Sequence, residues 1–163
     1  MTSLILAPWS EQGLALLHRQ NTRELTEHLG GPETAEQVQR RHQRYLELGG
    51  GQMFLVLLEG EVVGSVGYWS TEHDGEPCYE TGYGILPDHQ GRGFAVEALR
   101  LCAARAARDG DRAWLHAFPS IHHAASNAVC RKAGFELVGD CEFEYPPGHF
   151  IRSNDWRLAL TVE

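Results

Sequence analysis

Several things are missing from this sequence, and each absence closes off a class of function. No apolar run approaches the roughly 20 residues that cross a bilayer as a helix, so a membrane-spanning protein and a membrane partner are not expected. The opening stretch from Met1 to Trp9 lacks a basic leader, and its apolar run is too short for a secretory signal. The expected location is therefore the cytoplasm. Cysteine is sparse and dispersed: Cys78, Cys102, Cys130 and Cys141 form no CxxC pair, so no disulfide framework is expected. His122, His123 and His149 are scattered relative to those thiols, so the clustered spacing of a structural metal site is lacking and no metal is expected. Positive charge is in deficit, with a net charge of −8. Nucleic-acid binding rests on Lys and Arg neutralising phosphates, so nucleic acid is not an expected partner. The acidic balance suits a cationic partner instead, such as an amine or a basic protein tail. No repeat, low-complexity tract or linker interrupts the 163 residues, and 1–163 reads as one domain.

What is present reads as alternating elements. Residues 3–7 form a short strand, followed by a helix from Ser10 to about Gln20. Gly30-Gly31-Pro32 breaks the chain, and Thr34 with Gln37 spells a capping box for a second helix over 34–48. Two apolar runs, 53–58 and 62–69, flank Glu59-Gly60 as a hairpin, and 71–77 reads as a polar loop. A fourth strand covers 78–86. A helix over 93–108 carries Phe94, Ala98, Leu101, Cys102 and Arg105 at helical spacing. Then come a strand at 113–118, a short helix at 124–133, and two closing strands at 135–145 and 151–162. Short turns make the early strands antiparallel, while the crossover helix makes 78–86 and 113–118 parallel. The expected class is α/β: a mixed, mostly antiparallel seven-stranded sheet flanked by about four helices.

The most informative segment is Pro87-Asp88-His89-Gln90-Gly91-Arg92-Gly93-Phe94-Ala95, between a strand and a helix. A glycine-rich loop at a helix N-terminus gathers backbone N–H groups, and the helix dipole adds positive potential. Arg92 can add a cation. The physics points to an anion site, best suited to a phosphate. No Gly-Lys-Ser/Thr follows, and G-x-G-x-x-G is absent, so neither the Walker loop nor the dinucleotide fingerprint applies.

Gln90-x-x-Gly93-x-Ala95 resembles the Q/R-x-x-G-x-G/A motif of the GNAT N-acetyltransferase superfamily. Tyr79 to Pro87 looks like that family's fourth strand, and Ser126 to Phe135 resembles its second motif. Leu6-Ala7-Pro8-Trp9 and Asn154-Asp155-Trp156-Arg157-Leu158 resemble the branch that acetylates ribosomal-protein N-termini, the RimJ/RimL type. The resemblance implies the acyl-CoA N-acyltransferase fold, with acetyl-CoA as co-substrate and a primary amine as acceptor. It implies that Ile85 and Leu86 hold the pantetheine arm through their backbone. The amides of 91–95 (Gly91, Arg92, Gly93, Phe94, Ala95), beside Gln90, would hold the pyrophosphate. His123 and Asn127 count among the expected cofactor contacts, although His123 equally suits a helix cap. A homodimer is compatible with this reading.

For the chemistry, two glutamates compete as the base. Glu80 lies in the fourth strand, on the face of Cys78, Gly82 and Gly84, where small neighbours leave room for a substrate. Glu144, before Tyr145-Pro146-Pro147-Gly148, occupies the place of the glutamate that serves as base in the ribosomal-protein branch. It shares a strand face with Glu136, Val138, Asp140 and Glu142, a pattern typical of solvent. Ser126 matches the serine that sits near the cofactor sulfur in this branch and protonates the thiolate. The chain departs from the family at His123, where asparagine is usual, and at Cys130, where many relatives carry a tyrosine acid. Cys130 reads either as an acid or as a packing thiol. Trp69, Tyr83, Phe143 and Tyr145 either line a groove or fill the core. Three readings follow: a protein N-terminal acetyltransferase, a small-molecule transferase for a polyamine, aminoglycoside or amino acid, or a non-catalytic acyl-CoA sensor.

Overall fold

The computed structural model describes residues 3–161. The elements run β1 (Leu4–Pro8), α1 (Gly13–Gln20), α2 (Arg23–Thr26), α3 (Ala35–Leu46), β2 (Gly51–Leu58), β3 (Glu61–His73) and β4 (Glu76–Ile85). They continue through a 3₁₀ turn (Pro87–His89), α4 (Phe94–Asp109), β5 (Trp114–Ala117), α5 (Ala124–Lys132), β6 (Glu136–Glu144) and β7 (Phe150–Ala159). The seven strands form one sheet in the order β1-β2-β3-β4-β5-β7-β6. Every neighbouring pair is antiparallel except β4 and β5, which are parallel as the crossover helix requires.

Local chemistry explains most boundaries. Thr34 Oγ1 accepts from the Gln37 backbone N–H (3.1 Å), and Gln37 Oε1 accepts from the Thr34 N–H (2.8 Å), closing the capping box that starts α3. The extra short helix α2 is capped by Thr22, whose Oγ1 accepts from Leu25 N–H at 3.2 Å. It brings the helices to five where the sequence suggested about four. The expected loop at 71–77 is instead a continuation of the β3–β4 hairpin, paired from Thr71↔Cys78 to His73↔Glu76. Asp74 (φ 52°) and Gly75 (φ 78°) make a two-residue turn with both φ positive, which follows the twist of the flanking strands. The Asp-Gly dipeptide was the available signal, and the polar surroundings masked it.

Helices cover both faces of the sheet. On one face α4 and α5 pack over Val66, Tyr68, Tyr79, Leu115 and Trp156. The buried stripe of α4 is Phe94, Ala98, Leu99, Cys102, Ala103 and Ala106. Leu101, which shares that helical spacing, is exposed, and Leu99 lies in the core. On the other face Trp9, Leu16, Leu17 and Val38 from the N-terminal segment, α1 and α3 pack on Met53 and Leu55.

The feature that positions the site is where a ladder stops. β4 and β5 pair only at Tyr79↔Leu115 and Glu80↔His116, although β4 runs on to Ile85. Past Glu80 the two parallel strands diverge, and a wedge opens between them in the middle of the sheet.

Candidate active site

The loop at the wide end of the wedge is built for an anion. Gly91 (φ 77°) and Gly93 (φ 81°) are both left-handed, a conformation that side chains with a Cβ rarely adopt. A Cβ on either would meet no atom within 4 Å, so the requirement is dihedral freedom and an unobstructed approach rather than packing. Gly93 is the N-cap of α4 and offers no side-chain cap. The first intrahelical bond runs from Glu97 N–H to the Gly93 carbonyl (3.1 Å). The N–H groups of Phe94, Ala95 and Val96 therefore lack an intrahelical acceptor, as the first turn of any helix must. They point out of the N-terminus of a 16-residue helix, where the dipole favours negative charge. Arg92 is exposed beside them, its guanidinium 4.7 Å from the Phe94 ring centroid. These residues fit a pyrophosphate.

Along the wedge, the pleat sorts the two expected pantetheine contacts. Leu86 N–H donates to Val63 O (2.8 Å), so it faces β3. By alternation the main-chain groups of Thr81, Tyr83 and Ile85 face the wedge. The Ile85 carbonyl accepts from Gln90 Nε2 (2.9 Å), so Gln90 braces the loop against the strand end rather than reaching outward. Ile85 is thus the better placed of the two.

On the α5 side, Ser126 meets Tyr83. The Tyr83 hydroxyl lies 2.7 Å from Ser126 Oγ, donates to the Ser126 carbonyl at 3.1 Å, and lies 3.4 Å from Cys130 Sγ. Burial, reinforced by the Cys130 thiol beside it, keeps the Tyr83 phenol far above its ordinary range. Burial also pushes the Cys130 thiol up to about 11, so it stays a packing thiol near neutral pH. The phenol that reads from the sequence as groove lining or core instead meets the α5 hydroxyl and thiol. It comes from β4 and reaches Ser126 and Cys130 on α5.

Two expected cofactor residues are engaged elsewhere. Asn127 donates to the Ser120 carbonyl (3.0 Å) and the His123 carbonyl (2.9 Å), and its Oδ1 accepts from Asn154 Nδ2 and Trp156 Nε1 (both 2.8 Å). The hydrogen-bonding capacity of its side-chain amide is fully used in tying α5 to β7 and the β5–α5 connection. His123 is the N-cap residue of α5 without a side-chain capping bond, and its ring packs edge-on against His28 at 4.3 Å. Burial and the neighbouring His28 lower its pKa, which favours the neutral ring.

The opposite face holds one of the two candidate bases. Glu80 sits at the apex of the wedge beside Trp69, its register partner on β3. The Trp69 ring spreads over Gly82, where an added Cβ would come 3.0 Å from Cη2. Desolvation pushes Glu80 up to about 7, against a smaller downward pull from the neighbouring Trp69. A carboxylate with that affinity for protons is a general base for neutral pH. Glu144 lies apart. It is exposed on β6, two strands beyond β5, on the face opposite Phe143, and its Oε2 accepts from Gly148 N–H (3.3 Å). Its turn docks on α3, where Arg41 Nη2 donates to the Tyr145 hydroxyl (2.8 Å).

A cluster with no expected role completes this face. Asp155 (6% exposed) accepts from His116 Nδ1 at 2.6 Å through one oxygen and lies 3.0 Å from His73 Nε2 through the other. The three donor atoms lie within 4.8 Å of one another, the right types for a metal ion. The carboxylate is satisfied by the two imidazoles, however, and neither ring's second nitrogen has an orienting partner among the described residues, as metal-bound histidines usually have. Phe118 stacks on His116 at 5.6 Å and on Phe143 at 5.1 Å, walling the cluster.

Comparison with known proteins follows the same lines. No helix among the described residues is long and apolar enough to cross a membrane. No curated protein matches the chain. The fold is similar to that of a Salmonella typhimurium acetyltransferase that modifies the N-terminal serine of a 50S ribosomal subunit protein, at 23% identity and TM-score 0.81, covering 98% of this chain and 96% of that one. An aminoglycoside acetyltransferase in complex with coenzyme A matches at 18% identity and TM-score 0.78, covering 96% of this chain and 95% of that one. A Vibrio cholerae spermidine N-acetyltransferase with CoA and spermine matches at 14% identity and TM-score 0.78, with coverages of 96% and 95%. The acetyltransferase (GNAT) domain model matches residues 3–136, so the chain belongs to the GNAT family and is an N-acetyltransferase that uses acetyl-CoA.

Proposed function

We propose that the acceptor is an α-amine, the N-terminal residue of a protein. The observation that carries this reading is Glu80, half-buried at the apex of the wedge and raised to about 7. An α-amine has a pKa near 8, only about one unit above that base. A lysine-type amine near 10.4 lies more than three units above it, too large a mismatch for efficient transfer. The acidic chain, with its net charge of −8, favours the approach of a cationic N-terminus.

In this reading acetyl-CoA supplies the acetyl group. Residues 91–95 and Arg92 hold its pyrophosphate, and the main chain of Tyr83 and Ile85 lines its arm. Glu80 takes a proton from the acceptor nitrogen on one side of the sheet. Ser126, held by the Tyr83 hydroxyl, gives a proton to the departing thiolate on the other side and regains one from solvent, to which Glu80 releases its own. Cys130 stays protonated and fills space behind them. Four reduced cysteines suit a cytoplasmic setting.

Thiol release from acetyl-CoA, measured against peptides with a free N-terminus, polyamines, aminoglycosides and amino acids, tests the proposal. Peptides should give the highest kcat/KM, and N-terminally blocked peptides should give none. Turnover of polyamines or aminoglycosides with inert peptides would overturn it.

A further inference from the structure

An acceptor that arrives as an ammonium carries three protons on nitrogen, and the amide product carries one. Two protons therefore leave the nitrogen in each turnover: one ends on the leaving sulfur and one in water. Glu80 accounts for one acceptor on this side of the sheet. We propose that His116, oriented by Asp155, is the second. This rests on the acetyltransferase reading and deepens it.

Three observations carry the assignment. The first is position. His116 is the register partner of Glu80 on the last rung before β4 and β5 diverge, and paired residues on neighbouring strands project from the same face. Two proton acceptors therefore stand side by side at the apex of the wedge. The second is orientation. An ionised carboxylate can only accept, so the 2.6 Å contact to Asp155 places the ring proton on Nδ1 and leaves Nε2 as a bare acceptor. The third is access. His116 is 8% exposed overall, yet Nε2 is not among the buried polar atoms lacking a partner, and no described residue bonds it. The small exposed part of the ring includes its basic nitrogen.

The rest of the cluster makes this arrangement rigid. His73 holds the second oxygen of Asp155 at 3.0 Å, so the carboxylate cannot rotate away from His116. Phe118 stacks on the His116 ring with an interplanar angle of 9° and fixes its tilt. When the acceptor N–H bond breaks, the proton passes to Nε2, and the imidazolium is stabilised by the Asp155 carboxylate at its back. The proton then passes to water. Asp155 and His73 are positioning residues, since neither faces the reacting atoms directly.

The experiment uses whichever amine the wild-type protein acetylates, so an inactive wild type would fault the parent reading and leave this one separately addressable. His116→Ala should lower kcat roughly 100-fold, with acetyl-CoA affinity by calorimetry within about twofold of wild type. Added imidazole should restore at least a tenth of the wild-type rate to His116→Ala and none to Glu80→Gln. Rescue separates a lost base from a lost contact, because a purely structural defect has no need of a free imidazole. If His116→Ala no longer binds acetyl-CoA, His116→Gln replaces it, keeping a donor toward Asp155 without a base. In the wild type, nitrogen NMR should show a protonated Nδ1 and an unprotonated Nε2 on His116. Retention of more than half the wild-type kcat in the His116 variants, a loss that imidazole leaves untouched, or the opposite tautomer would overturn the proposal.

Discussion

The two sides of this site are built in opposite ways. The cofactor side is local: seven consecutive residues from Gln90 to Val96 supply two left-handed glycines, a cation and a helix N-terminus. The acceptor side is assembled at long range, from Glu80 on β4, His116 on β5, Asp155 on β7 and His73 on β3. The first uses backbone groups, which depend on dihedral angles. The second uses side chains whose proximity depends on sheet register. A loop of the first kind tolerates side-chain change wherever the backbone holds its shape, whereas the second fails when one register partner changes.

Glu80→Gln should break the acceptor side most severely, lowering kcat by 100-fold or more while acetyl-CoA affinity holds. The wild-type rate should climb as pH rises through about 7, where Glu80 ionises, and the variant should lose that limb. The same change should stabilise the fold above neutrality. The folded pKa of Glu80 lies above that of an unfolded glutamate, so its stabilising contribution is complete below about 4.5 and lost as pH rises to about 7. The difference is on the order of 3 kcal/mol and should appear as a higher melting temperature of Glu80→Gln at pH 8 than of wild type, but not at pH 4.

Gly93→Val attacks the cofactor side. Forcing a β-branched residue to φ 81° should weaken acetyl-CoA binding on the order of 100-fold by calorimetry. The melting temperature should change little, because no packed atom lies near. Unchanged affinity would remove the phosphate assignment.

Ser126→Ala sits between the two sides and should cost roughly tenfold in kcat with little change in acetyl-CoA KM. If KM moves and kcat does not, Ser126 is a binding residue and the sulfur takes its proton elsewhere. Asn127→Ala should leave KM unchanged and act on stability. It removes a side chain bonded on all four of its sites, worth about 3 kcal/mol, or a fall of roughly 9 °C in melting temperature. Glu144→Gln should have the smallest effect, with kcat indistinguishable from wild type, since the residue is exposed and caps only its own turn. A large loss there would move the base to the β6–β7 turn.

The same contrast explains what could be read in advance. The strand order, the parallel pair and the anion loop all rest on short-range patterns: apolar periodicity, turn residues and glycine spacing. Ser126 was visible because its helix is contiguous. His73 is not, because the polar residues around Asp74-Gly75 read as a loop, whereas they extend the β3–β4 hairpin. The side-chain network of Asn127 could not be read in advance, because its four partners lie on the β5–α5 connection and on β7, which no local pattern ties together. Tyr83 and Ser126 are 43 residues apart, and only packing puts their hydroxyls 2.7 Å apart.

The sequence alone determined the fold class, the family and the glycine-rich loop that we propose holds the cofactor's phosphates, because backbone conformation and hydrophobic periodicity are set by neighbours along the chain. Only the tertiary structure separates the two carboxylates and supports our assignment of Glu80 as the base. Glu80 and Glu144 are chemically identical, and what separates them is burial: one is enclosed beside Trp69 and pushed up to about 7, the other is bathed in water. It also decided that His116, Asp155 and His73 meet at all, since strand register in three dimensions, not distance along the chain, brings their rings and carboxylate together.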